Sequence, residues 1–394
     1  MIFAVCFTNF GPYHLARLRA LAGQLAGRGD ALLAYELADR EERYPWDRSR
    51  AGEPFRWTTL FPGRSMESLS RDDCAHAMTR ALDRDRPDAL GVVGYARPES
   101  MAMLRWAIRH RRTSVLMSES QEIDHPRAWW KEAIKARRVR RFSAGLVGGP
   151  RHRDYLVKLG LPAHRIALGY NAVDNAAFAA RADAARSDPA GRRWLPGRPY
   201  FLATNRFVPE KNLDRLVRAF AAYRADAPAD RAWDLALCGG GPIEAEIDDL
   251  ILALGLTASV HRPGFIQEAE LARWLAHASA FVHPSLMEPW GLVVNEAAAC
   301  GLPLLVSDRA GCVETLVPDP SGTTGRRFDP HDDDDLAAAL AWMAGLGDAD
   351  RAAMGRRAAE VATEWGPERF AQGAIEALER ADAHAVRGVR PCRS

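Results

Sequence analysis

Short apolar runs alternate with amphipathic stretches along nearly the whole chain. In the first half, residues 2–7, 31–35, 89–93, 114–117 and 145–148 read as buried strands, while 13–26, 98–110 and 151–158 place apolar residues at helical spacing. The second half repeats the arrangement, with strands over 200–203, 234–238, 259–261, 280–284 and 303–307, each followed by a helical stretch. A parallel neighbour is reached only by a crossover, so strands that alternate with helices predict parallel sheets covered on both faces. Two such series predict an α/β chain of two doubly wound, Rossmann-like domains facing each other across a cleft.

At 394 residues the chain suits two cores rather than one. Residues 181–198 are rich in Ala, Asp, Pro, Gly and Arg and lack periodicity, which marks a connection. The expected division is a first domain over 1–180, a linker over 181–198, a second domain over 199–366, and a closing helix with its tail over 367–394. That helix is long enough to pack back on the first domain. The acidic run 332–335 directly precedes Leu-Ala-Ala-Ala-Leu-Ala. Carboxylates in a first helical turn oppose its positive end, so the run reads as a capped helix and not as a metal site.

Composition removes several classes. Hydrophobic content of 47% and charged content of 26% are those of a globular protein, and no run of about 18 apolar residues is available to span a bilayer. The run 2–7 lacks a basic leader and enters a turn at Gly11-Pro12, so it reads as a first strand and not as a signal peptide. Six cysteines without paired short spacings argue against a disulfide framework or a thiolate zinc site and fit a reducing cytoplasm. A net charge of +2 is too small for a nucleic-acid binder. Of 53 basic residues only Lys131, Lys135, Lys158 and Lys211 are lysine, which draws attention to each.

The candidate chemistry lies in the second half. Glu288 and Glu296 are separated by Pro-Trp-Gly-Leu-Val-Val-Asn, between a buried strand and a helix of small residues. The loop through Pro289 and Gly291 delivers unpaired N–H groups to a helix start, so the amides of Gly291, Leu292 and Val293 suit a diphosphate. Glu296, deeper in the helix, is an acceptor-only group that suits the paired hydroxyls of a ribose, and Glu288 on the loop suits hexose hydroxyls. Two surface glutamates would give the same spacing. A second signal follows the strand 200–203, where Asn205-Arg206-Phe207-Val208-Pro209-Glu210-Lys211-Asn212 leads into a periodic helix. Arg206 and Lys211 can neutralise the charge that grows on a departing diphosphate. Such strand-to-helix ends are where doubly wound sheets bind ligands.

Arg206 with Lys211, Cys238-Gly239-Gly240-Gly241-Pro242, the Glu288–Glu296 pair and Ala299-Cys300-Gly301-Leu302-Pro303 together resemble the retaining group 1 glycosyltransferases of the GT-B fold. The resemblance covers most of the second half. In the first half, Phe10-Gly11-Pro12-Tyr13-His14 and Gly169-Tyr170-Asn171-Ala172-Val173-Asp174 are similar to segments of bacterial members. The resemblance implies transfer of a hexosyl or related unit, with retained anomeric configuration, from a nucleotide-diphosphate sugar to a hydroxyl of a glycan, lipid-linked or small-molecule acceptor. No cofactor and no obligatory metal are implied. Arg206 and Lys211 would bind the diphosphate, Glu296 the ribose, Glu288 the donor hexose, and the backbone at Phe265 and Ile266 the base. Glu288 is given positioning and electrostatic work, because the departing phosphate oxygen takes the acceptor's proton in the usual front-face proposal. The family's first loop often carries two glycines. Here Pro12 has no N–H, so only Gly11 carries over to the donor. Where many members aim a histidine at the donor sugar this chain reads Met117-Ser118-Glu119-Ser120, and Glu119 is the substitute. His14 suits either an acceptor contact or a helix cap.

Residues 129–142 mix Trp129 and Trp130 with Lys131, Lys135 and four arginines. That pattern fits a helix on an anionic membrane surface, at the inner face, or a solvated helix with one buried face. Two rival functions share the fold: a sugar-nucleotide 2-epimerase, which needs acid/base groups at the sugar's second carbon, and a non-catalytic nucleotide-sugar binder, in which Glu288 is dispensable. A dinucleotide oxidoreductase is disfavoured because no Gly-x-Gly-x-x-Gly follows a strand.

Overall fold

The structure, a computed structural model, describes residues 1–41, 52–319 and 322–388. The chain divides into two compact units, one of Met1–Glu122, Pro126–Val173 and Trp365–Ser394, the other of Ile123–His125 and Asp174–Glu364.

The first unit is built on a seven-stranded parallel sheet of β1 (Ile2–Phe7), β2 (Ala31–Arg40), β3 (Arg56–Ser65), β4 (Ala89–Val93), β5 (Thr113–Ser118), β6 (Ala144–Val147) and β7 (Ile166–Leu168), in the order β3-β2-β1-β4-β5-β6-β7. Successive side chains of a strand point to opposite faces, so Phe3 and Val5 enter one core layer and Ala4 and Cys6 the other. The closing helix Pro367–Gly388 belongs to this unit and buries Phe370, Ala371, Ala374, Ala377 and Leu378 in the first of these layers. Its Gly373 lies so close to β7 that a Cβ there would stand 2.3 Å from the Leu168 carbonyl oxygen.

Two strands of this sheet are missing from the apolar pattern. β3 is a half-exposed edge strand broken by Pro62-Gly63, and β7 has three residues, too few to show a period. The change of unit also falls earlier than residues 181–198, between Val173 and Asp174. Residues 175–186 form the helix Asn175–Arg186, which is anchored in the second unit through Phe178 and Ala182 and through Asn175 Nδ2 donating to the Ala362 carbonyl at 2.6 Å. Its run of alanines gives too little polar contrast to display a face. Residues 389–394, the end of the expected tail, lie outside the described residues.

The second unit holds β8 (Tyr200–Thr204), β9 (Asp234–Cys238), β10 (Val260–Gly264), β11 (Ala280–His283), β12 (Leu304–Ser307) and β13 (Gly325–Phe328), all parallel, in the order β10-β9-β8-β11-β12-β13. Phe201, Leu235, Val282 and Leu305 from this sheet pack with Leu216, Val217 and Phe220 of the helix Leu213–Asp226 and with Leu336, Leu340 and Met343 of the helix Asp333–Gly345. Asp332 accepts from the N–H groups of Asp334 at 2.9 Å and Asp335 at 3.1 Å, so the acidic run caps that second helix. β13 escapes the apolar pattern because two of its four residues are arginines. Among the described residues no helix is long and apolar enough to cross a membrane.

Candidate functional site

In the second sheet the strand order reverses between β8 and β11, which are hydrogen-bonded neighbours although two strands separate them in sequence. A reversal of this kind leaves a crevice at the carboxyl ends of the two strands, because their following connections leave in opposite directions. The loop with Arg206 and Lys211 follows β8, and the loop with Glu288 follows β11. The three glycines after β9 set the first loop in place. A Cβ on Gly239 (φ 133) would lie 1.8 Å from the Asn205 carbonyl oxygen, and one on Gly241 (φ 158) 2.4 Å from that of Phe207. The backbones are tied together, Phe207 N–H donating to the Gly240 carbonyl at 2.8 Å.

Asn212 joins the first loop to the second. It sits in the left-handed region (φ 58, ψ 32), a conformation asparagine tolerates better than most residues. Its buried side-chain amide donates to the carbonyls of Pro284 at 3.1 Å and Pro330 at 2.9 Å. One residue earlier Lys211 Nζ meets Glu288 Oε2 in an ion pair whose side chains are 13% and 12% exposed. The same oxygen lies 2.8 Å from His283 Nε2. The Glu288 backbone is fixed as well, since its carbonyl accepts from Gly311 N–H at 3.0 Å. Burial alone would raise the Glu288 pKa, but the hydrogen bond from His283 and the charge of Lys211 outweigh it and bring it down to about 2. Burial holds the His283 ring below the ordinary imidazole value, against the opposing pull of Glu288. The cluster therefore pairs a carboxylate and an ammonium beside a neutral imidazole.

Arg206 is half-exposed and lies 3.9 Å from Glu210. After Glu288, Trp290 is buried and donates from Nε1 to Asn295 Oδ1 at 2.8 Å, and Gly291 (φ 102) starts the helix Leu292–Ala299. The first-turn N–H groups of a helix have no intrahelical acceptor, so those of Leu292 and Val293 form an anion-attracting end. Glu296 is 1% exposed on this helix, which removes the reading of two surface glutamates. Beyond β10, Phe265 is 64% exposed and Ile266 half-buried.

A model of the family described as glycosyl transferases group 1 matches residues 187–361, the span that carries this whole cluster. Residues 187–361 are a group 1 glycosyl transferase domain. The chain is 34% identical over 188 residues to the GDP-mannose-dependent alpha-(1-6)-phosphatidylinositol monomannoside mannosyltransferase of Mycolicibacterium smegmatis, covering 46% of its own length and 47% of the relative. It is also 30% identical over 222 residues to the alpha-D-kanosaminyltransferase of Streptomyces kanamyceticus, covering 56% and 55%. The chain thus spans about half the length of the curated relatives it matches. Over almost its full length it shares the fold of sucrose-phosphate synthase from Thermosynechococcus elongatus (TM-score 0.73, 20% identity, 98% of this chain and 100% of that one). HepE from Anabaena, solved in complex with UDP and glucose, gives a TM-score of 0.72 at 18% identity over 96% and 99% of the two chains. The fold is therefore GT-B, with two Rossmann-like domains of which the group 1 domain is the second.

The remaining expected residues belong to the first unit. Gly11 N–H donates to His14 Nδ1 at 3.2 Å, and Gly149 N–H donates in the same way to His152 Nδ1 at 3.1 Å. Each Gly-Pro-x-His opens a helix with a histidine as its reaching-back cap. His14 is thus a cap, and the Gly11 N–H would reach a phosphate only by exchanging that bond. Burial and then the neighbouring Arg17 hold His14 well below the ordinary imidazole range, so the ring is neutral and its proton sits on Nε2. Glu119 Oε2 accepts from Asn171 Nδ2 at 2.8 Å. Within the group 1 domain, reasoning from the sequence missed Asn212 and His283. The signal for His283 was a lone polar residue closing the apolar run Ala280–His283, and Asn212 gave none beyond its tolerance of positive φ.

Proposed function

We propose that the chain is a retaining glycosyltransferase that moves a hexosyl or related unit from a nucleotide-diphosphate sugar to an acceptor hydroxyl. The observation that carries this reading is the Lys211–Glu288 pair at the β8/β11 reversal, beside the amino-terminal end of the helix Leu292–Ala299. In this reading Arg206, Lys211 and the amides at Gly291, Leu292 and Val293 receive the diphosphate, and the two cations do the work that a metal ion does elsewhere. Glu288 accepts from a hydroxyl of the donor sugar, Glu296 from the ribose, and the base lies at Phe265 and Ile266. The bond between the anomeric carbon and the diphosphate oxygen breaks as the acceptor oxygen attacks from the same face, and the departing oxygen takes the acceptor's proton. Charge that accumulates on the diphosphate is stabilised more in the transition state than in the ground state, which is the condition for catalysis. In the first unit we assign Glu119 to a sugar contact, the Nε2 side of the capping His14 to the acceptor, and the Gly11 N–H, once exchanged from His14, to the donor.

Thermal shift against UDP-, GDP- and ADP-sugars, followed by incubation with and without glycan and lipid-linked acceptors, tests the reading. The expected result is stabilisation by one base class, by ~2.7 kcal/mol at a hundredfold excess over Kd, with transfer only when acceptor is present. Epimer formed from the donor alone would replace the transferase by the 2-epimerase, and stabilisation without transfer by any acceptor would leave a binder.

We also assign the helix Trp129–Val139 to an anionic membrane surface. Trp129 is 82% and Trp130 51% exposed, with Ile134, Lys131 and Arg137 exposed beside them. Lys135 and Arg138 instead turn inward, to Glu132 at 2.8 Å and to the Tyr95 carbonyl at 3.1 Å. Rings with flanking cations suit the interface, each cation contributing about 1 kcal/mol near anionic lipid. Flotation with phosphatidylcholine vesicles is expected to recover the chain only when phosphatidylglycerol is included, and the double change Trp129→Ser, Trp130→Ser is expected to abolish recovery. Equal recovery of the variant would leave this helix solvated.

A further inference from the structure

His283, at the carboxyl end of β11, is fully buried, with its ring lying at 10° to that of Phe281. Its Nε2 stands 2.8 Å from Glu288 Oε2 and 3.1 Å from Ser285 Oγ, while Nδ1 has no hydrogen-bond partner among the described residues. An ionised carboxylate only accepts, so the hydrogen of a neutral ring that contacts one belongs on Nε2. A proton on Nδ1 would be buried with no acceptor and would leave Nε2 lone pair against Glu288, which doubly disfavours that tautomer. The two donors on Glu288 differ in kind. Lys211 brings a point charge on a flexible stem, whereas the imidazole is a planar group fixed by a buried strand and a ring neighbour. Lys211 therefore neutralises the carboxylate, and the imidazole sets its direction.

We propose that His283 is a positioning residue whose Nε2–H holds the Glu288 carboxylate in one orientation, so that it keeps its aim at the donor sugar when a bound diphosphate draws Lys211 toward itself. This inference rests on the reading of Glu288 as a donor-sugar contact. It extends that reading to a residue that touches neither sugar nor diphosphate and acts through Glu288 alone.

Two substitutions separate this role from packing. His283→Phe keeps an aromatic ring beside Phe281 and removes the donor. His283→Gln removes the ring and returns a side-chain N–H near the place of Nε2. The phenylalanine variant is expected to lower kcat/KM for transfer roughly tenfold or more, mostly in kcat, as for loss of a hydrogen bond to a charged group. The glutamine variant is expected to recover most of that loss. A phenylalanine variant as active as the wild type, or a glutamine variant no better than the phenylalanine one, overturns the proposal. The ring itself is read without activity, by long-range proton–nitrogen correlation spectra of the full chain, the His283 signals being those lost in His283→Gln. A neutral Nε2–H tautomer whose signals move in Glu288→Gln supports the proposal, and an Nδ1–H tautomer overturns it. Should the wild-type chain turn over no nucleotide sugar, the transferase reading fails while the ring spectrum still decides the state of His283.

Discussion

Replacing Lys211 with alanine is expected to lower kcat/KM for sugar transfer by about 10²–10³-fold, the range seen when a preorganised donor to developing negative charge is removed. Two consequences of the geometry make this the largest effect of any single change. Lys211 is held by the turn that ends at Asn212, whose amide bridges the Pro284 and Pro330 carbonyls, and its Nζ pairs directly with Glu288. The other half-exposed cation of the loop, Arg206, lies toward Glu210. Loss of Lys211 also leaves the Glu288 carboxylate enclosed without its counter-charge, which costs about 3–5 kcal/mol when such a pair is well buried and less here, where both side chains retain some exposure. Single-turnover rates at saturating donor, measured beside urea unfolding, separate the two losses. A variant with full turnover would remove Lys211 from the mechanism whatever its stability.

Glu288→Gln is expected to show the second largest effect, about 10²-fold in kcat/KM, together with an altered acid limb of stability. The sign follows from the direction of the shift. The Glu288 pKa is lowered from 4.5 in the reference state to about 2 in the folded chain, the hydrogen bond from His283 and the charge of Lys211 overcoming the effect of burial. A lowered carboxylate contributes stability above its unfolded pKa and loses it as pH falls through the folded value. The wild type should therefore lose ~3 kcal/mol from this group between about pH 4.5 and pH 2, and the glutamine variant should lack that component. Urea unfolding at stepped pH reads the difference. Identical acid limbs in the two chains would show that Glu288 is not held by the pair in solution.

Much of this protein is written locally. The alternation of apolar runs with helical faces locates most strands of both units, because period and propensity act over a few neighbouring residues. The strands it omits are those whose burial is set by distant partners: the half-exposed edge β3, the three-residue β7, and β13, where Arg326 pairs with Asp335 at 2.7 Å and Arg327 donates to the Val317 carbonyl at 2.6 Å. The helix Asn175–Arg186 was hidden for a related reason. Its side is chosen by Asn175 reaching Ala362, a contact across 187 positions.

The candidate site divides in the same way. Arg206, Lys211, Glu288 and Glu296 stand out by residue type and by their place at strand-to-helix turns, so the sequence by itself determined the cast and the class of chemistry. Tertiary structure alone decided that Lys211 and Glu288, 77 positions apart, share one carboxylate oxygen with His283. That contact exists because β8 and β11 hydrogen-bond across the reversal of the strand order, an adjacency that no local period encodes. The same tertiary context turned the glycines at 239 and 241 from a motif into a spacing requirement and His14 into a cap. Local sequence selects elements through short-range sterics and burial, whereas the direction and charge of a buried side chain depend on which distant backbone is packed against it.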